Sequence, residues 1–300
     1  MNRVDQHPVQ AFLVALSAVA VLSIMDAVMK HLVIVIGIVA VSIWRSLANL
    51  IIAGTLYLPR RLPRPTLTTL RIHVARGVIV TIMALLFFWG IGRVPLAQGI
   101  ALTFIAPLIA LLLAAFALNE QVGSRSVAGS ISAFGGVVVI VLGQARAELG
   151  GEVLVGSAAI IGSALCYAVN IVMMRRQALA AKPLEINFFQ SLTVMILWFA
   201  AVPFIGFPQW PAAQVDWVIV AALMSTSGSL LFSFAYARAE ASYLAVTEYS
   251  AFLWAAALGW IVFHEPVSPY TLLGALLIVG GCLIAARRKF GAPPEIDVAA

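Results

Sequence analysis

Residues 87–142 read FFWGIGRVPLAQGIALTFIAPLIALLLAAFALNEQVGSRSVAGSISAFGGVVVIVL, and residues 232–287 answer with FSFAYARAEASYLAVTEYSAFLWAAALGWIVFHEPVSPYTLLGALLIVGGCLIAAR. The two stretches align without a gap at an offset of 145 positions. Apolar-on-apolar matches carry no weight, since any two hydrophobic segments show them. The informative matches are polar or small: Arg93 on Arg238, Glu120 on Glu265, Gly129 on Gly274, and Gly135-Gly136 on Gly280-Gly281. The same offset extends upstream, carrying Lys30 onto Arg175 and Ser46-Leu47 onto Ser191-Leu192. The chain is a duplicated unit, and a repeat of this length governs every later reading.

Composition sets the class. Apolar residues make up 63% of the 300 and charged residues 10%, with a mean hydropathy of +1.05. A soluble domain carries roughly 25% charged residues, so this chain is an integral membrane protein. The net charge of +6 does not indicate nucleic acid, because the bases sit at the ends of apolar runs. Cys166 and Cys282 both fall inside apolar runs, so they are packing residues and no disulfide framework is implied.

A spanning helix needs roughly 20 mostly apolar residues. Ten such runs are predicted, at 11–31, 34–58, 72–91, 96–118, 124–143, 153–174, 186–205, 215–237, 243–263 and 268–286. The first passes straight into Asp26 and Lys30, unlike a cleaved signal segment, and is read as a spanning helix. With the amino terminus inside, thirteen Lys and Arg fall in cytoplasmic segments and three, Lys30, Arg93 and Arg146, on the opposite side. That asymmetry places both termini of a multi-pass protein in the cytoplasm. The fold class is therefore all-α, with a first five-helix repeat at 1–145, a second at 146–288, and an unstructured tail at 289–300. An odd number of helices per repeat makes the second enter the bilayer from the other side, so the repeats are inverted. Inverted halves are a recurrent transporter plan, with the substrate site near mid-membrane between them.

The paired signatures NEQVGSRSVAGSISAFGG and HEPVSPYTLLGALLIVGG, closing two five-helix units, resemble the drug/metabolite transporter superfamily, EamA type. The resemblance covers about residues 11–288. It implies a cavity lined by helices 1, 3, 4, 6, 8 and 9, with helices 5 and 10 at the margin as a homodimer contact. It further implies secondary transport, with amino-acid exporters the most similar members. The alternative substrate class is S-adenosylmethionine or another nucleoside-like metabolite.

Candidate site residues are those whose side chains do not belong in lipid, since an unpaired ionisable group there costs several kcal/mol. Asp26 and Lys30 stand at an i,i+4 spacing and can pair directly, either as a structural ion pair or as a charged element of the cavity or gate. Arg45 either holds Asp26 across helices or binds a carboxylate. Arg76 is expected to snorkel to the cytoplasmic surface. In the second half, Tyr243, Thr247, Glu248, Tyr249 and Trp254 form the most polar helix face, matched by Gln98, Thr103 and Phe104 in helix 4. Tyr167 and Asn170 share a face of helix 6, and Phe87 opens the repeated stretch. Pro107 is expected to kink helix 4 at a gate. Glu120 and Glu265 precede helices whose dipoles they would complement, and the repeated glycines are expected to permit close packing.

Several classes are excluded. Lys30, Lys182 and Lys289 are followed by His, Pro and Phe, so no phosphate-cradling loop ending in Lys-Ser/Thr exists. No HExxH zinc motif occurs, and the four histidines lie in the N-terminal lead or at helix ends. An enzyme is not expected, nor any cofactor, metal or nucleic-acid partner; the expected partners are a small-molecule substrate and the bilayer. If Asp26 or Glu248 titrates, transport is proton-coupled; if both are permanently paired, the protein is a facilitator.

Overall fold

The computed structural model describes residues 8–60, 65–106, 108–109, 113, 124–146, 150–236 and 247–286. Among them are ten α-helices: α1 (Pro8–Ile36), α2 (Ile38–Tyr57), α3 (Leu67–Ile91), α4 (Leu96–Thr103), α5 (Ser124–Arg146), α6 (Gly150–Ala180), α7 (Pro183–Ile205), α8 (Val215–Tyr236), α9 (Ser250–Phe263) and α10 (Pro269–Ala286). Six segments, within α1, α2 with its C-terminal turn, α3, α6, α7 and α8, are long and apolar enough to cross a membrane. The expected tail at 289–300 lies outside the described residues.

Local chemistry sets the boundaries. Gly37, with φ 80°, breaks an apolar run that would otherwise continue from α1 into α2; L-residues rarely adopt that conformation. The Thr66 hydroxyl accepts from the Thr69 amide at 3.2 Å and caps α3, so the helix starts at Leu67 rather than at residue 72. α4 stops at Thr103, four residues before Pro107, which has no N–H to offer the Thr103 carbonyl. Pro107 itself lies outside the described residues.

Helix pairing follows the duplication. α5 packs most extensively on α10, α3 on α6, and α1 on α8. Advancing each helix of one half by five, and taking each of the other back by five, converts α1–α8 into α6–α3 and α3–α7 into α8–α2, all of them observed pairings. Ends also meet in a consistent way. At one face, Lys30 near the end of α1 reaches the Val94 carbonyl at 2.7 Å, Arg93 reaches Glu152 in the first turn of α6 at 2.9 Å, and Trp44 near the start of α2 donates to the Gln209 carbonyl at 3.0 Å. At the other face, Tyr57 at the end of α2 stacks on Phe188 in α7. So α1 ends at the face where its counterpart α6 begins.

The core lies where the halves meet. Met29, Leu32, Ile91, Leu96, Leu102 and Ile160 are fully buried and belong to one cluster drawn from α1, α3, α4 and α6. Around it the large apolar side chains are exposed, up to 89% at Phe204, as expected of a lipid-facing surface. α5 and α10 approach backbone to backbone: a Cβ on Gly136 would sit 2.5 Å from the Gly274 carbonyl, and one on Gly281 2.5 Å from that of Gly129. Gly135 and Gly280 face open space, so two of the six repeated glycines do not make the expected packing contacts.

Candidate functional site

Three polar layers interrupt this apolar interior. The first lies between α1, α2, α3 and α4. Arg45 holds its guanidinium 5.2 Å from the centroid of the Phe88 ring, within Coulombic reach of the Asp26 carboxylate. The Arg45 Nε and the Gln98 Nε2 are buried with no hydrogen-bond partner among the described residues. An unmet buried donor costs about 1–3 kcal/mol, so the Arg45 Nε near the Asp26 carboxylate marks a place shaped for an acceptor. Phe87 packs edge-on to Phe88 at 5.2 Å, and Phe104 meets Tyr249 edge-on at 5.3 Å. The sequence-predicted Asp26, Arg45, Phe87, Gln98, Phe104 and Tyr249 thus sit on or beside the central cluster. Thr103 spends its hydroxyl on the Ile100 carbonyl at 2.7 Å, and Thr247 is buried.

Trp254 belongs elsewhere. It is 40% exposed and shares its stripe with Leu253, Trp260 and Ile261, all more exposed still. Helical spacing puts that stripe on the lipid side of α9. The opposing buried stripe carries Ala255 and Gly259. Tyr243 lies outside the described residues.

The second layer runs along α6. Tyr167 donates to the Glu248 carboxylate at 3.3 Å. One turn on, Asn170 accepts from Arg76 Nε at 2.8 Å, and Arg76 Nη1 donates to the Gln177 carbonyl oxygen. Gln177 then presents its amide nitrogen to His73 Nδ1, which leaves His73 Nε2 to donate to Glu185 at 3.3 Å; the tautomer follows from this direction of donors. Arg76 is 8% exposed, His73 0% and Glu185 9%. Arg76 therefore does not snorkel. It turns inward because its surroundings offer two amide oxygens. His73, Gln177 and Glu185 were not among the sequence-predicted residues. The signal was present: His73 and Arg76 are i,i+3 on α3, and Asn170 and Gln177 are i,i+7 on α6, spacings that share a face.

The third layer lies at one end. Lys30 is ion-paired with Glu265, not with Asp26; the i,i+4 spacing permits the Asp26 pair, but Lys30 swings across to the second half. Its ammonium also donates to the Val94 carbonyl and lies 5.0 Å from the Phe263 ring centroid. Glu265 accepts from the Leu96 amide at 2.8 Å. It complements a helix N-terminus as expected, but that of α4 and not that of α10, whose cap is Ser268, accepting from Thr271 at 3.1 Å. His264 adopts a left-handed φ of 55°, which turns the chain after α9 just ahead of Glu265. Glu120 lies outside the described residues.

Opposed charges in two partly buried layers, and an ion pair joining the halves at one end, fit a binding path better than a catalytic centre. The profile of the EamA-like transporter family matches residues 9–142 and again 154–287. The chain belongs to the EamA-like transporter family. It is 26% identical over 225 residues to the pseudopaline exporter CntI of Pseudomonas aeruginosa, covering 73% of this chain and 75% of that one. It is 26% identical over 289 residues to a riboflavin transporter of Vibrio cholerae, covering 92% of each. It is 27% identical over 210 residues to a probable terminal-alkyne amino-acid exporter of Streptantibioticus cattleyicolor, covering 68% of each. The family and these relatives are transporters, not enzymes. This EamA protein is accordingly a multi-pass membrane protein that handles small molecules.

Proposed function

We propose that this EamA protein is an alternating-access carrier of small zwitterionic metabolites, amino acids foremost, across a bacterial inner membrane, with both termini in the cytoplasm. In this reading residues 1–145 and 146–288 are inverted five-helix repeats that exchange packing roles as the site opens to either side. The observation that carries it is the layer around Asp26 and Arg45: a carboxylate for an ammonium, and a guanidinium with an unmet donor for a carboxylate. The aromatic surface of Phe88 beside it suits an apolar side chain. The amino-acid exporter among the relatives supports the substrate class.

The test is uptake by purified protein in liposomes, with labelled amino acids and S-adenosylmethionine offered separately, with and without a pH gradient. Saturable uptake of several amino acids, cut at least tenfold in Arg45→Gln, is the expected result; the loss corresponds to one charge-assisted hydrogen bond of about 1.5–3 kcal/mol. Uptake of S-adenosylmethionine alone would overturn the substrate class. Stimulation by the pH gradient that vanishes in Glu248→Gln would assign the coupling proton to Glu248, and equal rates with and without the gradient would make the protein a facilitator.

A further inference from the structure

We propose that Arg76, together with Tyr167 and Glu248, forms a second station for the same zwitterion, nearer the opposite face from the Lys30–Glu265 ion pair. This rests on the reading that the carrier moves zwitterions.

The argument begins with the charge of Arg76. It is more than nine-tenths buried, yet none of the ion pairs among the described residues includes it. Its Nε and Nη1 are engaged by the neutral amide oxygens of Asn170 and Gln177, while Nη2 has no bond among the described residues. Amides orient a guanidinium without neutralising it. The nearest carboxylate along the donor chain, Glu185, is two side chains away through Gln177 and His73. A buried cation held in place but not compensated is costly, and inside a membrane such a group marks a ligand path.

Position supplies the rest. Arg76 is nine residues into α3, counted from Leu67, or about 13 Å at 1.5 Å per residue, well below the helix end. Tyr167 stands one turn from Asn170 on α6 and within Coulombic reach of Arg76, and it fixes the Glu248 carboxylate at 3.3 Å. A cationic donor fork and a carboxylate thus flank one phenol. The open Nη2 of this oriented guanidinium suits a carboxylate, and Glu248 suits an ammonium. Asp26 and Arg45 present the same pair of charges on α1 and α2, closer to the end at which α1 terminates. A substrate released from one pair meets its like at the other.

The experiment uses the full chain in liposomes of known orientation, with labelled L-phenylalanine supplied from the face nearer Arg76. Phenethylamine, which lacks the carboxylate, and 3-phenylpropanoate, which lacks the ammonium, serve as competitors. In the unmodified protein both should compete at least tenfold more weakly than unlabelled phenylalanine. In Arg76→Gln the handicap of phenethylamine should fall by about tenfold or more, because there is no longer a carboxylate contact to lose, while that of phenylpropanoate stays. In Glu248→Gln, which keeps an acceptor for Tyr167, the reverse should hold. A merely structural role would weaken all three ligands alike and leave both ratios unchanged, and unchanged ratios would overturn the proposal. No phenylalanine uptake by the unmodified protein would instead overturn the substrate reading on which it rests.

Discussion

Lys30 and Glu265 form an unusual junction for a membrane protein, because one carboxylate serves a cation from α1 and a helix N-terminus from α4 at once. Lys30 is 3% exposed. Removing one partner of a buried pair strands the other, at about 3–5 kcal/mol, whereas removing both costs far less. Glu265→Gln should therefore lower the Tm of the purified protein sharply, and Lys30→Met combined with Glu265→Gln should recover most of the loss. An additive double mutant would show that the pair contributes nothing as a pair. The same residues show what sequence spacing can settle. That Lys30 needs a carboxylate was legible; which carboxylate was not, because Asp26 and Glu265 both satisfy the chemistry and only the turn at His264 makes the distant one a neighbour.

At the scale of helices, apolar run length marked where the ten described helices lie. Only six of the described segments are long and apolar enough to span, and α4 ends at Thr103 where the run continues to 118. The start of α3 went astray because the capping hydroxyl of Thr66 lies before a polar first turn that hydropathy passes over. That shift of five residues, from 72 to Leu67, is also why Arg76 read as a surface residue: it sits more than a turn deeper than its run suggested. The glycines divide in the same way. Repetition at 145 positions marked Gly135, Gly136, Gly280 and Gly281 equally, but within each adjacent pair, 100° apart around the helix, only one faces the partner. Gly136→Ala should destabilise the α5–α10 crossing by about 1–3 kcal/mol, the usual penalty of overpacking. Gly135→Ala, with nothing within 4 Å, should be neutral or stabilising by up to about 1 kcal/mol. Thermal unfolding of both variants in detergent checks the contrast.

For the molecule as a whole, the exchangeable pairing of helices means that the packing of one half has a ready counterpart in the other. The halves are not chemically identical. Asp26 and Arg45 have Ile171 and Gln190 at the repeat-related positions, and Glu248 has Thr103, so the charged layers break the symmetry that the helices keep. Duplication was legible in the sequence because it repeats residues; the charged layers were only partly legible, because they arise from residues that do not repeat. If the Lys30–Glu265 junction closes one end of the path, Glu265→Gln should speed labelling of a cysteine introduced at Gln98 by a membrane-impermeant thiol reagent added from that end, relative to Gln98→Cys alone. Equal labelling rates would remove the junction from any closing role.

That junction also sets a limit on what the carrier can do. If the protein alternates access as proposed, an ion pair that closes one end weights the resting population towards one of two orientations, and so makes the carrier saturate at different substrate concentrations on its two sides. It cannot act as a ratchet. Without an ion gradient to draw on, forward and return cycles share the same states, and detailed balance fixes the final substrate ratio across the membrane at unity whatever the resting bias. Strengthening or cutting the Lys30–Glu265 link would therefore change how quickly vesicles reach equilibrium, and from which side they load more readily, while leaving the end point where it was.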